Sequence, residues 1–145
     1  MNRVRDSYNK CIRAIYNAEK NSNVTLEYMR EQLQILDFDD LIAFFDVNIF
    51  INILRTGEPK ELSKYIVIHD KAGTRGSKMG NTKINFIPKT EKLKNSFLIR
   101  ASKRYNKIPE ILRDLDKKYF NKQLKNYYLG RAIELPNIIN FDQMR

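Results

Sequence analysis

The sequence predicts a mainly α-helical bundle with a basic loop or short β-hairpin inserted near residues 68–96. Across most of the chain, apolar residues recur at spacings of three and four, which is the period of an amphipathic helix. Capping residues, glycines and prolines separate these apolar segments. Residues 68–96 depart from the pattern, because they hold three glycines and eight basic residues, counting the histidine. These observations favour the helical class with one irregular insertion.

A length of 145 residues is enough for one domain with a modest core. Within it we predict an N-terminal helical subdomain over residues 1–66. A basic loop and the C-terminal helices, residues 67–131, are expected to belong to the same domain. Residues 132–145 are predicted to form an irregular tail.

The first helix is predicted over about residues 3–18. Its apolar side chains fall on one helical face, which carries Val4, Tyr8, Cys11, Ile12, Ile15 and Tyr16. Because Cys11 lies on that face, we expect it to be in the core rather than to act as a nucleophile. A second helix is predicted after the polar stretch NAEKNSN, with Thr25 as its N-cap.

The stretch ILDFDDLIAFF, residues 35–45, places two adjacent aspartates between apolar runs, an arrangement that can hold metal ions for phosphoryl transfer. The paired aspartates of a polymerase lie on a hairpin between strands, whereas both flanks here have the helical period. Acidic side chains also stabilise the first turn of a helix. We therefore predict that Asp37, Asp39 and Asp40 begin a long central helix, which runs to about Leu54 and ends at Gly57.

The second part of the chain is predicted to combine short helices with one strand. A short helix, KELSKYI, follows Pro59, and only KINFIP has the alternation of a strand. A further helix is expected after Ser96 as a cap, and another from Pro109 as its first residue. The last helix is DKKYFNKQLKNYYL, and Gly130 is expected to end it.

Positive charge is concentrated in the same part of the chain. Residues 60–131 contain 19 Lys and Arg against 6 Asp and Glu, a net charge of +13. Residues 1–59 contain 7 against 9, a net charge of −2, and the whole chain carries +10. A field this uneven attracts polyanions, of which phosphate backbones are the commonest. The charge distribution therefore predicts RNA or DNA as the partner.

Residues for other chemistry are scarce. One histidine and one cysteine cannot form a zinc site of ordinary ligand count, and Gly73, Gly76 and Gly80 lack the spacing of a phosphate loop. The longest apolar stretch, residues 41–54, is too short and too polar to cross a membrane, and the polar N-terminus is not a signal peptide. We expect no cofactor, metal, small-molecule substrate or membrane partner, and an intracellular location in the nucleus or cytoplasm.

The basic segment interleaves cationic and aromatic side chains, a combination that binds RNA through its phosphates and base faces. At helical spacing most of the rings are expected in the core, with two or three left for stacking. These rings are Phe86, Phe97, Tyr105, Tyr119, Phe120, Tyr127 and Tyr128. The cations selected for phosphate contact are Arg75, Lys78, Lys83, Lys89, Lys94, Arg100, Lys103 and Arg104.

Five stretches also follow the order of a known family. They are YNKCIRAIYN, LEYMREQLQILDFDDLIAFFDVNIF, IHDKAGTRGSK, KNSFLIRASKRYNKIPEIL and YFNKQLKNYYL. Together they resemble the region after the catalytic palm in reverse transcriptases of LINE-type, jockey-like non-LTR retrotransposons. In the third stretch the resemblance rests on His69, Thr74 and Arg75. Tyr105 stands where the family has Trp, and the second histidine of the third stretch is absent.

The resemblance implies a thumb and post-palm region that holds template RNA or target DNA, and it adds His69 and Thr74 to the expected contact residues. In the family, the palm carries the metal-binding aspartates of RNA-directed DNA synthesis. The palm is missing here, so we expect no catalysis by this chain alone and expect the rest of a reverse transcriptase as a further partner. The start at Met1 suggests a truncated or separate reading frame.

Two other interpretations are open. In the first, the basic face docks an acidic protein partner while the apolar helices form a dimer. Nucleic-acid binding that disappears at about physiological salt, beside a tight protein complex, would favour it. In the second, the chain is a decayed fragment of a transposable element without a selected function.

Overall fold

The computed structural model describes residues 2–17, 23–69 and 80–134. It is mainly helical with a small two-stranded antiparallel sheet, which confirms the fold class expected from the sequence. The elements, in chain order, are α1 Asn2–Ile15, α2 Leu26–Leu33, α3 Phe38–Thr56, α4 Lys60–Ser63, β1 Ile66–His69, β2 Asn81–Ile84, α5 Glu91–Lys94, α6 Phe97–Lys107, α7 Glu110–Arg113 and α8 Lys117–Tyr128.

The ends of the second and third helices follow from local capping. The Thr25 hydroxyl accepts a hydrogen bond from the backbone N–H of Tyr28 at the start of α2. The Asp37 carboxylate accepts one from the N–H of Asp40 at 2.8 Å, and Gly57 ends α3 in the left-handed region at φ 72°. The helix-start interpretation of the acidic stretch is therefore confirmed.

The aspartates at the start of α3 have separate surroundings. Asp39 forms an exposed ion pair with Arg5 of α1 at 2.7 Å. Asp40 is partly buried, and this burial, followed by the charges of Asp37 and Asp39, raises the pKa of its carboxyl group. Within residues 2–17, 23–69 and 80–134, no three His, Cys, Asp or Glu side chains are grouped so that they could hold a metal ion.

Helix α3 forms the centre of the fold. It packs against α6 and α8, and six of its own residues are buried. The apolar core joins Val47, Phe50 and Ile51 of α3 with Leu98, Ala101 and Tyr105 of α6 and with Phe120 and Leu124 of α8. Burial raises the pKa of Tyr105 to about 12. The three helices therefore share one apolar interior.

A buried acid lies in the middle of α3. Asp46 is 5% exposed and accepts hydrogen bonds from two arginines of α6. The Nε and Nη2 atoms of Arg100 lie 2.6 and 3.0 Å from its carboxylate oxygens, and Arg104 bonds to the same carboxylate. The hydrogen bond to Asp46 raises the pKa of Arg100. Because the two arginines are one helical turn apart, one carboxylate ties a face of α6 to α3.

The expectation that Cys11 is buried is wrong, because its side chain is exposed. Helix α1 packs on α2. It buries Ile12, and the Tyr8 hydroxyl donates to the carbonyl of Leu36 at 2.6 Å. Ile15, one turn beyond Cys11, is exposed as well. The apolar period identified the helix correctly but did not indicate how much of its apolar face a neighbour would cover.

The strands differ from those predicted. The helix after Pro59 ends at Ser63, and Ile66–His69, whose first three residues are β-branched, pairs as a strand instead of continuing that helix. The second strand is Asn81–Ile84, so it begins two residues before the predicted KINFIP and leaves out Phe86. The pairing of the two strands decides these boundaries, so helix propensity and the alternation of apolar residues in the sequence did not predict them correctly.

Two helix starts in the C-terminal part also differ from the prediction. Pro109 precedes α7 as its N-cap and is not its first residue. Ser96 occupies the N-cap position of α6, but its hydroxyl makes no capping hydrogen bond.

Gly130 ends α8 as predicted, at φ 68°, and the next N–H, of Arg131, bonds to the carbonyl of Asn126. Residues 135–145 of the predicted tail lie outside the described residues.

We expect Asp46→Ala to lower the free energy of unfolding by about 2 kcal/mol, because it leaves two guanidinium groups without their carboxylate. The loss is smaller than for a fully buried pair, since the side chains of Arg100 and Arg104 are 40% and 28% exposed. Urea denaturation followed by circular dichroism measures it. The matched control is Asp39→Ala, which removes an exposed ion pair and is expected to cost about 0.5 kcal/mol or less. Equal losses would contradict the role of Asp46.

Two residues that end helices in the left-handed region predict opposite changes in stability. Gln34, at φ 54°, carries a side chain where glycine is preferred, so Gln34→Gly is expected to raise the free energy of unfolding by about 0.5 kcal/mol. Gly130→Ala is expected to lower it by about 1 kcal/mol through backbone strain alone, because no atom lies within 4 Å of the added Cβ. Thermal denaturation measures both changes, and shifts of the same sign would contradict this account.

Candidate nucleic-acid interface

The two strands form a hairpin that docks on α6. They run antiparallel, with Ile66 opposite Ile84 and His69 opposite Asn81. β2 lies against α6, where Thr82 is buried with 5% exposure. β2 therefore contacts β1 along one edge and α6 through its buried side chain.

The side-chain amide of Asn106 takes the place of a further strand beside β2. Its Oδ1 accepts a hydrogen bond from the backbone N–H of Thr82 at 2.9 Å, and its Nδ2 donates to the Thr82 carbonyl at 2.8 Å. The Thr82 hydroxyl also lies 2.8 Å from the Ser102 hydroxyl. Ser102 and Asn106 are four residues apart, so both project from one face of α6. These contacts satisfy backbone groups that the edge of a sheet would otherwise leave open.

The start of β2 is held by two further side chains. Arg113, which is 3% exposed, donates to Asn81 Oδ1 at 2.7 Å and to backbone carbonyls near the end of α6. The Tyr105 hydroxyl donates to the carbonyl of Gly80 at 3.3 Å. The Arg113 guanidinium lies over the Tyr105 ring, 4.8 Å from its centroid. Residues from α6 and α7 therefore fix the position of the hairpin.

A groove opens between β2, α5 and α6, with a volume of about 380 Å³. Three lysines from three elements line it, which are Lys83 of β2, Lys94 of α5 and Lys103 of α6. We refer to it as the lysine groove. Its other lining residues are apolar at Ile84, Phe86, Pro88 and Ile99, and polar at Thr82, Ser102 and Asn106.

The lysine groove brings together three of the cations that the sequence predicts to contact phosphate. Lys83 and Lys103 are exposed, and neither forms an ion pair with another described residue. Lys94 pairs with Glu91 at 2.5 Å, but both side chains are more than half exposed, so this pair contributes little and is easily exchanged. Lys89, a further selected cation, is exposed between Pro88 and α5.

The other selected residues fall into two groups. Arg100 and Arg104 direct their guanidinium groups to Asp46, so their first role is in the fold, and their phosphate contact stays a prediction. Thr74, Arg75 and Lys78 lie outside the described residues, and the same holds for the side chain of His69, whose backbone ends β1.

The interleaved aromatic rings are also divided between core and groove. Tyr105 is fully buried, as most rings were expected to be. Phe86 is half-buried in the lysine groove and meets Tyr65 edge-on, with ring centroids 5.6 Å apart. The docking of β2 by Ser102 and Asn106 is not among the features predicted from the sequence. The available signal was two polar uncharged residues one turn apart in a helix that is otherwise apolar or basic.

No family model, no curated protein and no solved structure matches this chain. Of the helices in the described ranges, none combines the length and the apolar character that crossing a membrane requires. The lysine groove and the charge around it are the features from which a function can be inferred.

We expect Asn106→Ala to lower the free energy of unfolding by about 1–3 kcal/mol, because it leaves the N–H of Thr82 without its partner and the Thr82 carbonyl with only the Ser102 hydroxyl. Hydrogen exchange locates the loss, and the Thr82 amide should exchange faster while the amides of α3 stay protected. Asn85→Ala, at an exposed position in the same hairpin, is the matched control and should leave both measurements unchanged. Unchanged exchange at Thr82 in Asn106→Ala would refute this docking role.

Proposed function

We propose that this chain binds nucleic acid through phosphate contacts of the lysine groove, with little dependence on sequence. The observation that supports it is the convergence of Lys83, Lys94 and Lys103, from three separate elements, on one concave surface. Lys83 and Lys103 have no carboxylate partner among the described residues, so their charges are available to a ligand. Neutralising phosphates releases counterions, which supplies most of the affinity of such interfaces.

Lysine suits this role better than the two arginines of the same helix that pair with Asp46. Its ammonium is a compact charge on a flexible stem, so it can follow a phosphate without a fixed geometry. Phosphate contacts position a ligand but carry no sequence information. The +13 charge of residues 60–131 adds a long-range attraction to the same part of the chain.

The resemblance to the post-palm region of non-LTR retrotransposon reverse transcriptases suggests template RNA or target DNA as the natural ligand. Under this proposal the chain holds the nucleic acid and does no chemistry by itself. In such an enzyme the metal-binding aspartates belong to the palm, and the five stretches that carry the resemblance all correspond to the region after it.

A second candidate function is docking of an acidic protein partner. Exposed apolar side chains on two helices favour it, namely Val4 and Ile15 on α1 and Phe45 and Ile49 on α3. Such side chains are typical of protein–protein contacts when they form a patch. The same lysines would then meet carboxylates instead of phosphates, so the two functions differ in which polyanion binds and in how binding responds to salt.

The double variant Lys83→Gln/Lys103→Gln tests the proposed function. We expect its affinity for a single-stranded oligonucleotide of about 20 residues to fall at least about 10-fold at roughly 0.1 M salt. The slope of log affinity against log salt should become shallower by about 2, one for each lost contact. Fluorescence anisotropy over a salt series measures both quantities.

The matched control is Lys118→Gln/Lys125→Gln, which removes two exposed charges of α8 that do not line the groove. It should change the affinity much less. Equal effects of the two double variants would contradict a localised site, and binding of polyglutamate as tight as that of RNA would favour the acidic partner. Charge reversal at Arg100 or Arg104 is unsuitable as a test, because a new carboxylate there would face Asp46 and destabilise the fold, so a loss of binding could not be assigned to a lost contact.

A further inference from the structure

We infer that the lysine groove takes single-stranded nucleic acid, with base faces packed against Phe86 and without recognition of base identity. This inference rests on the proposed function and specifies the class of ligand. Three features of the groove carry it, which are its apolar lining residues, the internal hydrogen bonds of its uncharged polar groups and the fixed position of its aromatic ring.

The groove is lined by apolar side chains as well as by lysines. Phe86, Pro88 and Ile99 line it beside the lysines, and Ile87 next to them is 88% exposed. A groove that served phosphates alone would need no such surface. A base in a duplex is stacked and paired inside the helix, whereas a single strand can turn its bases outward onto an apolar or aromatic surface. The combination of lysines and apolar lining residues therefore fits a single strand.

The uncharged polar groups that line the groove, on Thr82, Ser102 and Asn106, form hydrogen bonds within the protein. Both atoms of the Asn106 amide bond to the backbone of Thr82. The Ser102 hydroxyl bonds to the hydroxyl and the carbonyl of the same residue. Reading a base requires free donors and acceptors that face its edge. Because these groups are already paired, the groove can contact base faces but has little with which to distinguish their edges.

Phe86 is held in place before any ligand arrives. It packs against the core cluster and meets the Tyr65 ring at an interplanar angle of 80°. Tyr65 directly precedes β1, and the backbone N–H of Asn85 bonds to its carbonyl at 2.7 Å. A ring that is fixed in the free protein loses little rotational freedom when a base stacks on it. The geometry is therefore preorganised for stacking.

The test uses the whole chain and labelled oligonucleotides of about 12 nucleotides, within the usual site size of single-strand binders. The probes are oligo-U, oligo-A, oligo-dT and a duplex of the same length, at one salt concentration. Wild-type protein should bind the single strands at least about 5-fold more tightly than the duplex and should bind the three homopolymers within a few-fold of each other. A preference for the duplex would overturn the inference, and a strong preference for one base would overturn the lack of base recognition.

Phe86→Leu is the decisive variant, because leucine keeps most of the apolar packing but has no aromatic face. It should weaken single-strand binding about 5-fold or more and leave duplex binding unchanged, whereas Phe86→Tyr should bind as the wild type does. If Phe86→Leu leaves single-strand binding unchanged while Lys83→Gln/Lys103→Gln weakens every probe alike, the stacking inference fails and the proposed function stands. If no oligonucleotide binds the wild type, both fail.

A measurement on the wild-type protein guards against a variant that does not fold. Oligo-U that carries 5-iodouridine crosslinks to aromatic side chains in stacking contact when it is irradiated. Mass spectrometry should locate the crosslink at Phe86. Crosslinks that occur only at residues outside the lysine groove would overturn the inference whatever the variants do.

Discussion

The structure depends first on the carboxylate of Asp46. An ionised acid in the middle of an apolar helix is costly unless it is paired and hydrogen-bonded, so α3 can occupy the centre of the fold only if another element supplies cations at that point. Helix α6 supplies them one turn apart, as Arg100 and Arg104. This pairing fixes which face of α6 lies against α3. The helical geometry then determines the directions in which the other faces of α6 point.

Going around α6, each face has a different task. Next to the arginine pair comes the apolar face, with Ala101 and Tyr105 in the core. The face after it carries Ser102 and Asn106, which hold β2, and the last carries Lys103 beside the lysine groove. Because a helix has 3.6 residues per turn, these tasks fall to residues that are interleaved in sequence. One helix therefore positions the core, the hairpin and the candidate site together.

The basic side chains discussed above fall into two groups, those paired within the fold and those exposed to solvent. This division follows the different chemistry of arginine and lysine. Arginine can donate several hydrogen bonds in a fixed plane, so it suits enclosed positions, as Arg113 shows with its bonds to Asn81 and to backbone carbonyls. The groove lysines keep their ammonium groups in water, where a phosphate can displace it. Counting positive charge therefore overstates the number of cations that are free to meet a polyanion, and the exposed lysines are the better guide.

The sequence by itself determined what depends on neighbours within one helical turn. The helical class, the caps at Thr25 and Asp37 and the end of α3 at Gly57 all follow from residues three or four positions apart, so they could be predicted. It also identified Lys83, Lys94 and Lys103 as cations, but not as members of one groove. Their grouping needs Thr82 to meet Asn106, 24 residues away.

Only the tertiary structure decided which cations pair with a carboxylate, that the edge of β2 is covered by Asn106 and which part of α1 is buried. Arg100 pairs with Asp46, which lies 54 residues earlier in the chain, and no local sequence pattern predicts a pairing over that distance. The exposure of Cys11 has the same origin, because a helix carries its apolar period whether or not a neighbour covers all of that face. Local propensities arise within a turn, whereas burial and charge pairing depend on which distant segments meet.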